Sequence, residues 1–153
     1  VDALQSRGLL LDGTTEGERE FDAMLDVLTG KGVRAINVIP DRNWNVPDVE
    51  ARMKKTAELK KVIELARARE LPLNAGTELN KFGQKFVDSF ENPEMEPYRD
   101  DFLRGASIIY GHTVTRRKEG WGYTSDEATK RFGDDRKAKN DFFAEVGDEY
   151  REA

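Results

Sequence analysis

The chain has 153 residues, 37% of them apolar and 36% charged, with a formal net charge of −5 and no cysteine. That length suits one domain with a modest core. The acidic balance excludes a general nucleic-acid binder, which carries a basic excess. The lack of cysteine excludes disulfides and Cys-ligated zinc, and it fits a reducing, cytoplasmic setting. No run of about 18 apolar residues occurs, so no membrane partner is expected. No signal peptide is visible. The first residue is Val1 rather than Met, which suits a processed product or a piece of a longer protein.

In chain order, Leu9–Leu11 reads as a first buried strand ending in Asp12-Gly13-Thr14-Thr15. Thr15-Glu16-Gly17-Glu18 has the spelling of a capping box. Phe21, Met24, Leu25 and Leu28 then recur at helical spacing, and Gly30 and Gly32 end that helix. Val33–Ile39 is the second strand. A helix opening near Pro47 follows, with a buried stripe of Val49, Met53, Thr56, Leu59, Val62, Ile63 and Ala66. Leu71–Pro72 stops it. Leu73–Ala75 is the third strand. A shorter helix from Asn92–Pro93 faces inward through Met95, Tyr98 and Phe102. Ala106–Tyr110, with its Ile-Ile-Tyr run, reads as the fourth strand. None of the four strands alternates strictly, as expected of strands covered on both faces.

Strand and helix thus alternate at βα spacing. The expected fold is α/β, with parallel βα repeats forming a partial TIM-barrel-like layer and C-terminal helices packed outside. Residues 1–115 would carry four βα units. Residues 116–153 would be a helical extension of the same domain, with a second capping-box spelling at Thr124-Ser125-Asp126-Glu127 and an apolar stripe of Phe142, Phe143, Val146 and Tyr150. A closed barrel needs about 250 residues, so two sheet edges would stay open. Self-association, or pairing with the missing half of a longer barrel, is the expected consequence.

Chemistry in parallel βα folds collects where strands end. The second strand ends in Asp41-Arg42-Asn43-Trp44-Asn45, the third in Gly76-Thr77-Glu78-Leu79-Asn80, the fourth in Gly111-His112-Thr113. One rim could therefore gather Asp41, Glu78 and His112, the only histidine of the chain, as catalytic groups. Arg42, Asn43, Trp44, Asn80 and Lys81 would hold a small-molecule substrate. Turn and cap roles compete for the Asp and Asn residues, surface solvation for the Arg116-Arg117-Lys118 run, and plain core packing for His112. A carboxylate at a strand end is costly unless paired, metal-bound or protonated, which singles out Glu78.

"PLNAGTELN" and, about 35 residues on, "IIYGHT" resemble the C-terminal part of TIM-barrel metal-dependent hydrolases of the PHP and amidohydrolase type. The resemblance covers roughly Leu9 to Thr115. It implies a divalent metal (Mn, Mg or Zn) held by Glu78 and His112, and hydrolysis of a small anionic or polar substrate. The family's early His-x-His pair is absent from this chain, as it would be from a C-terminal half. The alternative is a non-catalytic ligand-binding or assembly domain using the same rim.

Overall fold

The structure is a computed structural model that describes residues 6–9, 20–77, 82, 86 and 89–152. Three short parallel strands form one sheet in the order β1-β2-β3. They are β1 (Ser6–Leu9), β2 (Ala35–Val38) and β3 (Leu73–Ala75). Helix α1 (Phe21–Gly30) lies between the first two. A one-turn helix α2 (Asp41–Trp44) and the long α3 (Val49–Ala68) link the second to the third. A 3-10 turn (Glu96–Tyr98) leads into α4 (Arg99–Glu119). Helices α5 (Asp126–Phe132) and α6 (Arg136–Glu152) complete the described chain.

The first core is built by alternation along the strands. Ile36, Val38 and Leu73 point to one face, where they pack with Phe21 and Leu25 of α1 and with Leu59, Val62, Ile63 and Ala66 of α3. Asn37 and its register partner Asn74 lie on the other face, and the Asn74 Nδ2 donates to Asn37 Oδ1 at 2.8 Å. The α3 stripe is shorter than its pattern suggested. Val49 and Met53 are exposed, so only the C-terminal part of the helix reaches the core. Its cap is Asp48, whose carboxylate accepts the Ala51 N–H at 2.7 Å, and Pro47 stands just outside.

The barrel-like expectation fails at Ala106–Tyr110. These residues lie inside α4, and the described residues are mostly helical, with no repeated βα units among them beyond β3. The boundary expected at 115/116 also falls inside α4. A strand there would bury both faces. Instead Phe102, Gly105, Ile108, Gly111, His112 and Thr115 are buried at helical spacing, while Leu103, Ala106 and Tyr110 are exposed. The ends of α4 carry matching charge: Asp100 and Asp101 in the first turn, then Arg116, Arg117 and Lys118 in the last. Gly120 at φ 80° closes the helix in the left-handed cap conformation.

Glycine lets α4 sit where a fourth strand was expected. The Ile36 N–H bonds Pro72 O at 2.9 Å and the Gly76 N–H bonds Val38 O at 2.7 Å, so the intervening Leu73 N–H and C=O point away from β2. Gly105 lies directly on that Leu73 peptide, and a Cβ there would overlap its oxygen. Helix α4 therefore covers the β3 edge, which is not the open edge that four βα units would have left.

The second core forms between α4 and the C-terminal helices. Ile108, Trp121, Tyr123, Ala128, Phe143 and Ala144 are its buried members. Ser125, one residue past the Thr expected to cap, accepts the Ala128 N–H at 3.2 Å. Glu127 pairs with Arg131 instead of closing the box. A buried polar chain ties this core to the sheet. The Tyr123 hydroxyl donates to Asn140 Oδ1 at 2.6 Å, and Asn140 Nδ2 donates to Glu70 O at 2.9 Å. Glu70 has φ 52°, uncommon for a residue with a Cβ, and Asn140 holds the carbonyl that this turn presents. Burial pushes the Tyr123 phenol up to about 12, so it remains a donor.

Candidate functional site

Among the expected site residues, Asp41, Arg42, Asn43 and Trp44 do follow the C-terminal end of a strand. They form the single turn α2. Asn43 is 1% exposed. Its Nδ2 donates to the Lys55 carbonyl at 3.0 Å, which fastens α2 to α3. Trp44 packs against the first core. The Asp41 carboxylate accepts from Asn45 Nδ2 at 2.9 Å. Glu78, Asn80 and Lys81 lie outside the described residues.

His112 is not at a strand end. It is inside α4 and 7% exposed. Its Nδ1 accepts the Tyr123 backbone N–H at 2.9 Å. Gly122 rests against the ring, where a Cβ would come within 2.6 Å. The histidine thus satisfies a buried N–H that would otherwise be orphaned, and this bond assigns the ring proton to Nε2. Among the described residues, no group of three or more His, Asp or Glu side chains could hold a metal ion. The expected TIM-barrel rim therefore loses its barrel, and the described residues bring no metal-holding cluster to His112.

Burial, and secondarily the nearby Arg116 charge, hold the His112 pKa below the ordinary 6.5. The folded state favours the neutral ring, so this contribution to stability is complete above pH 6.5. It is lost as the pH falls through the lower folded value. The melting temperature of the chain is expected to drop on acidification below pH 6.5, before most carboxylates titrate. His112→Gln should be less stable at pH 8 but flatter over that range. Parallel melting curves for the two proteins from pH 8 to pH 5 would contradict this.

A cleft of about 500 Å³ opens beside the C-terminal end of β3. Phe90, Phe102 and Leu103 give it an apolar wall, and Asn74 and Arg99 bring polar groups to it. The Phe90 and Phe102 rings pack with centroids 5.3 Å apart. Leu103 is 44% exposed. One Asn74 amide hydrogen is spent on Asn37, which fixes the side chain. Arg99 is the first residue of α4 and makes no ion pair among the described residues. Sequence reading missed Asn74 and Arg99, because it sought acids and imidazoles at strand ends. Asn74, within "PLNAGTELN", was the available signal.

No family model matches the chain, and neither a curated protein nor a solved structure matches it. Among the described residues, no helix is long and apolar enough to cross a membrane.

Proposed function

We propose that this chain binds a small organic molecule with an apolar body and one anionic end, in the cleft beside the end of β3. One observation carries the reading: an apolar wall of Phe90, Phe102 and Leu103 shares a single cleft with the Arg99 guanidinium and the Asn74 amide. Concave, mainly apolar sites with a few fixed polar groups are what small ligands require. Arg99 supplies the partner for a carboxylate. Glu91 borders the same cleft and disfavours a second negative charge on the ligand. The cysteine-free composition suits such a domain in a reducing cytoplasm.

The enzyme alternative differs in giving Glu78 a proton to move on the bound molecule. Glu78 follows Ala75 by three positions in the sequence.

The test uses 3-phenylpropanoate and its neutral amide as probes, followed by chemical-shift titration. The acid is expected to bind the wild-type chain about tenfold more tightly than the amide, the scale of one hydrogen bond to a charged group. Arg99→Met should remove that preference and leave amide binding unchanged. Leu103→Asp should abolish both. Equal binding of acid and amide to the wild-type chain would sink the reading. Ester hydrolysis that disappears in Glu78→Gln, with binding retained, would establish the enzyme alternative.

A further inference from the structure

At the opposite end of the sheet, where β2 and β3 begin, a second cleft of about 650 Å³ lies between the end of α1 and the α5–α6 corner. Arg34, Arg136 and Lys139 line it. They come from distant parts of the sequence, and their positions follow from local structure. Gly32, at φ 95°, turns the chain after α1 and brings Arg34 back towards the helix end. The Arg34 Nη1 donates to the carbonyls of Thr29 at 2.8 Å and Val33 at 3.1 Å. The Arg136 Nη1 donates to the Arg69 carbonyl at 2.6 Å. Lys139 stands three residues further along α6, with its Nζ 4.9 Å from the Tyr123 ring centroid.

Each guanidinium is anchored by backbone carbonyls, which fix its position without neutralising its charge. Among the described residues, none of the three cations makes an ion pair. Basic residues nearby behave differently. Arg69 pairs with both Asp22 and Asp26, Arg104 and Lys137 with Asp141, and Arg131 with Glu127. Asp26, the acid at the α1 side of the cleft, is thereby committed to Arg69. Asp134 is the other acid in the lining. It offsets part of the charge but contacts none of the three within ion-pair distance. The Lys139 ammonium is held below its ordinary pKa by burial and then by Arg34 and Arg136, so the three charges act on one another. A chain with net charge −5 has therefore concentrated a net positive charge in one cleft.

We propose that this cleft is a binding site for a phosphate-class oxyanion, carried on a small phosphorylated molecule. A phosphate accepts from planar guanidinium groups through paired N–H bonds, and each anchored Arg retains further donors. Lys139 adds a point charge at the partly buried wall. The volume exceeds that of a bare phosphate group and leaves room for the rest of a small molecule. The acidic remainder of the chain disfavours an extended nucleic-acid backbone.

Pyrophosphate is the probe, titrated into the full chain and followed by phosphorus NMR and by calorimetry. Saturable one-site binding is expected, about tenfold weaker in Lys139→Met and in Arg34→Met, the loss for one charged hydrogen-bond partner. Lys54→Met, an exposed lysine on α3 far along the chain, should bind as the wild type does. Arg99→Met should also bind normally, which separates this site from the one at the end of β3. Circular dichroism of each variant checks that the fold persists. Lack of saturation, or equal weakening by Lys54→Met, would overturn the proposal. So would binding unchanged in both Lys139→Met and Arg34→Met.

Discussion

Phe143→Ala is expected to lower the free energy of unfolding by about 3–5 kcal/mol, the cost of removing a fully buried aromatic ring. Phe143 has no exposure and stands at the centre of the second core. Its ring centroid lies 5.6 Å from Trp121, 5.3 Å from Tyr123 and 5.2 Å from Phe142. Its neighbours cannot close the resulting void freely. Tyr123 is tethered through its hydroxyl to Asn140 and through its backbone N–H to His112. Trp121 is held by its Nε1 bond to Glu119 at 2.7 Å. The cavity therefore persists and adds its own cost to the lost transfer energy. Phe142→Ala is the control. Its ring stacks on Trp121 at 5.5 Å but is only half-buried, so it should cost less than half as much. Urea unfolding, with the midpoint shifted and the slope retained, measures both. The reading of this core fails if the two substitutions cost the same.

The second core also links the two clefts. Helix α4 carries Arg99, Phe102 and Leu103 to the apolar cleft at its start. Through His112 it holds Tyr123, which lines the cationic cleft. Loss of the second core should therefore weaken anion binding at the cationic cleft more than it disturbs the helix start.

The legible parts of this fold were those governed by local pattern. Val33–Ile39 contains β2, Leu73–Ala75 is β3, and the α3 residues Leu59, Val62, Ile63 and Ala66 are buried at their helical spacing. The Ile-Ile-Tyr run misled because β-branched residues favour strands only as far as packing permits. Here Gly105 and Gly111, six residues apart, offer bare backbone to two different neighbours, and that requirement is met by a helix. His112 illustrates a different limit. Its residue type and a preceding glycine suggested a strand-end ligand, but its partner is a backbone N–H eleven residues on. Nothing in the local spacing marks that bond. The cationic cleft was illegible for a related reason. Arg34 and Arg136 come together only after α6 docks on the turn at Arg69 and Glu70.

Gly111→Val should be strongly destabilising although it removes no side chain. A Cβ at Gly111 would overlap the Phe143 carbonyl oxygen and press on the Gly147 nitrogen. A Cβ at Gly147 would overlap the Ser107 carbonyl in turn. The two helices thus meet backbone to backbone, the approach that only small residues permit. Their register is pinned beside that contact, where the Ser107 Oγ donates to Asp148 Oδ1 at 2.6 Å. Backbone atoms cannot swing aside as a flexible side chain does, so α6 must move as a unit. Overpacking of this kind costs about 1–3 kcal/mol, and more where the backbone has to shift. For Gly111→Ala, gained helix propensity returns up to about 1 kcal/mol. That variant is expected to lose about 1–2 kcal/mol net, and Gly111→Val more than 3 kcal/mol by the same reasoning. Gly111→Ala combined with Gly147→Ala should cost less than the sum, because one separation of the helices relieves both clashes. Gly30→Ala gives the contrast, since a Cβ at the end of α1 meets nothing within 4 Å. It should be neutral or slightly stabilising. Unfolding midpoints for the set decide the matter, and a Gly111→Ala protein as stable as Gly30→Ala would refute close contact between α4 and α6.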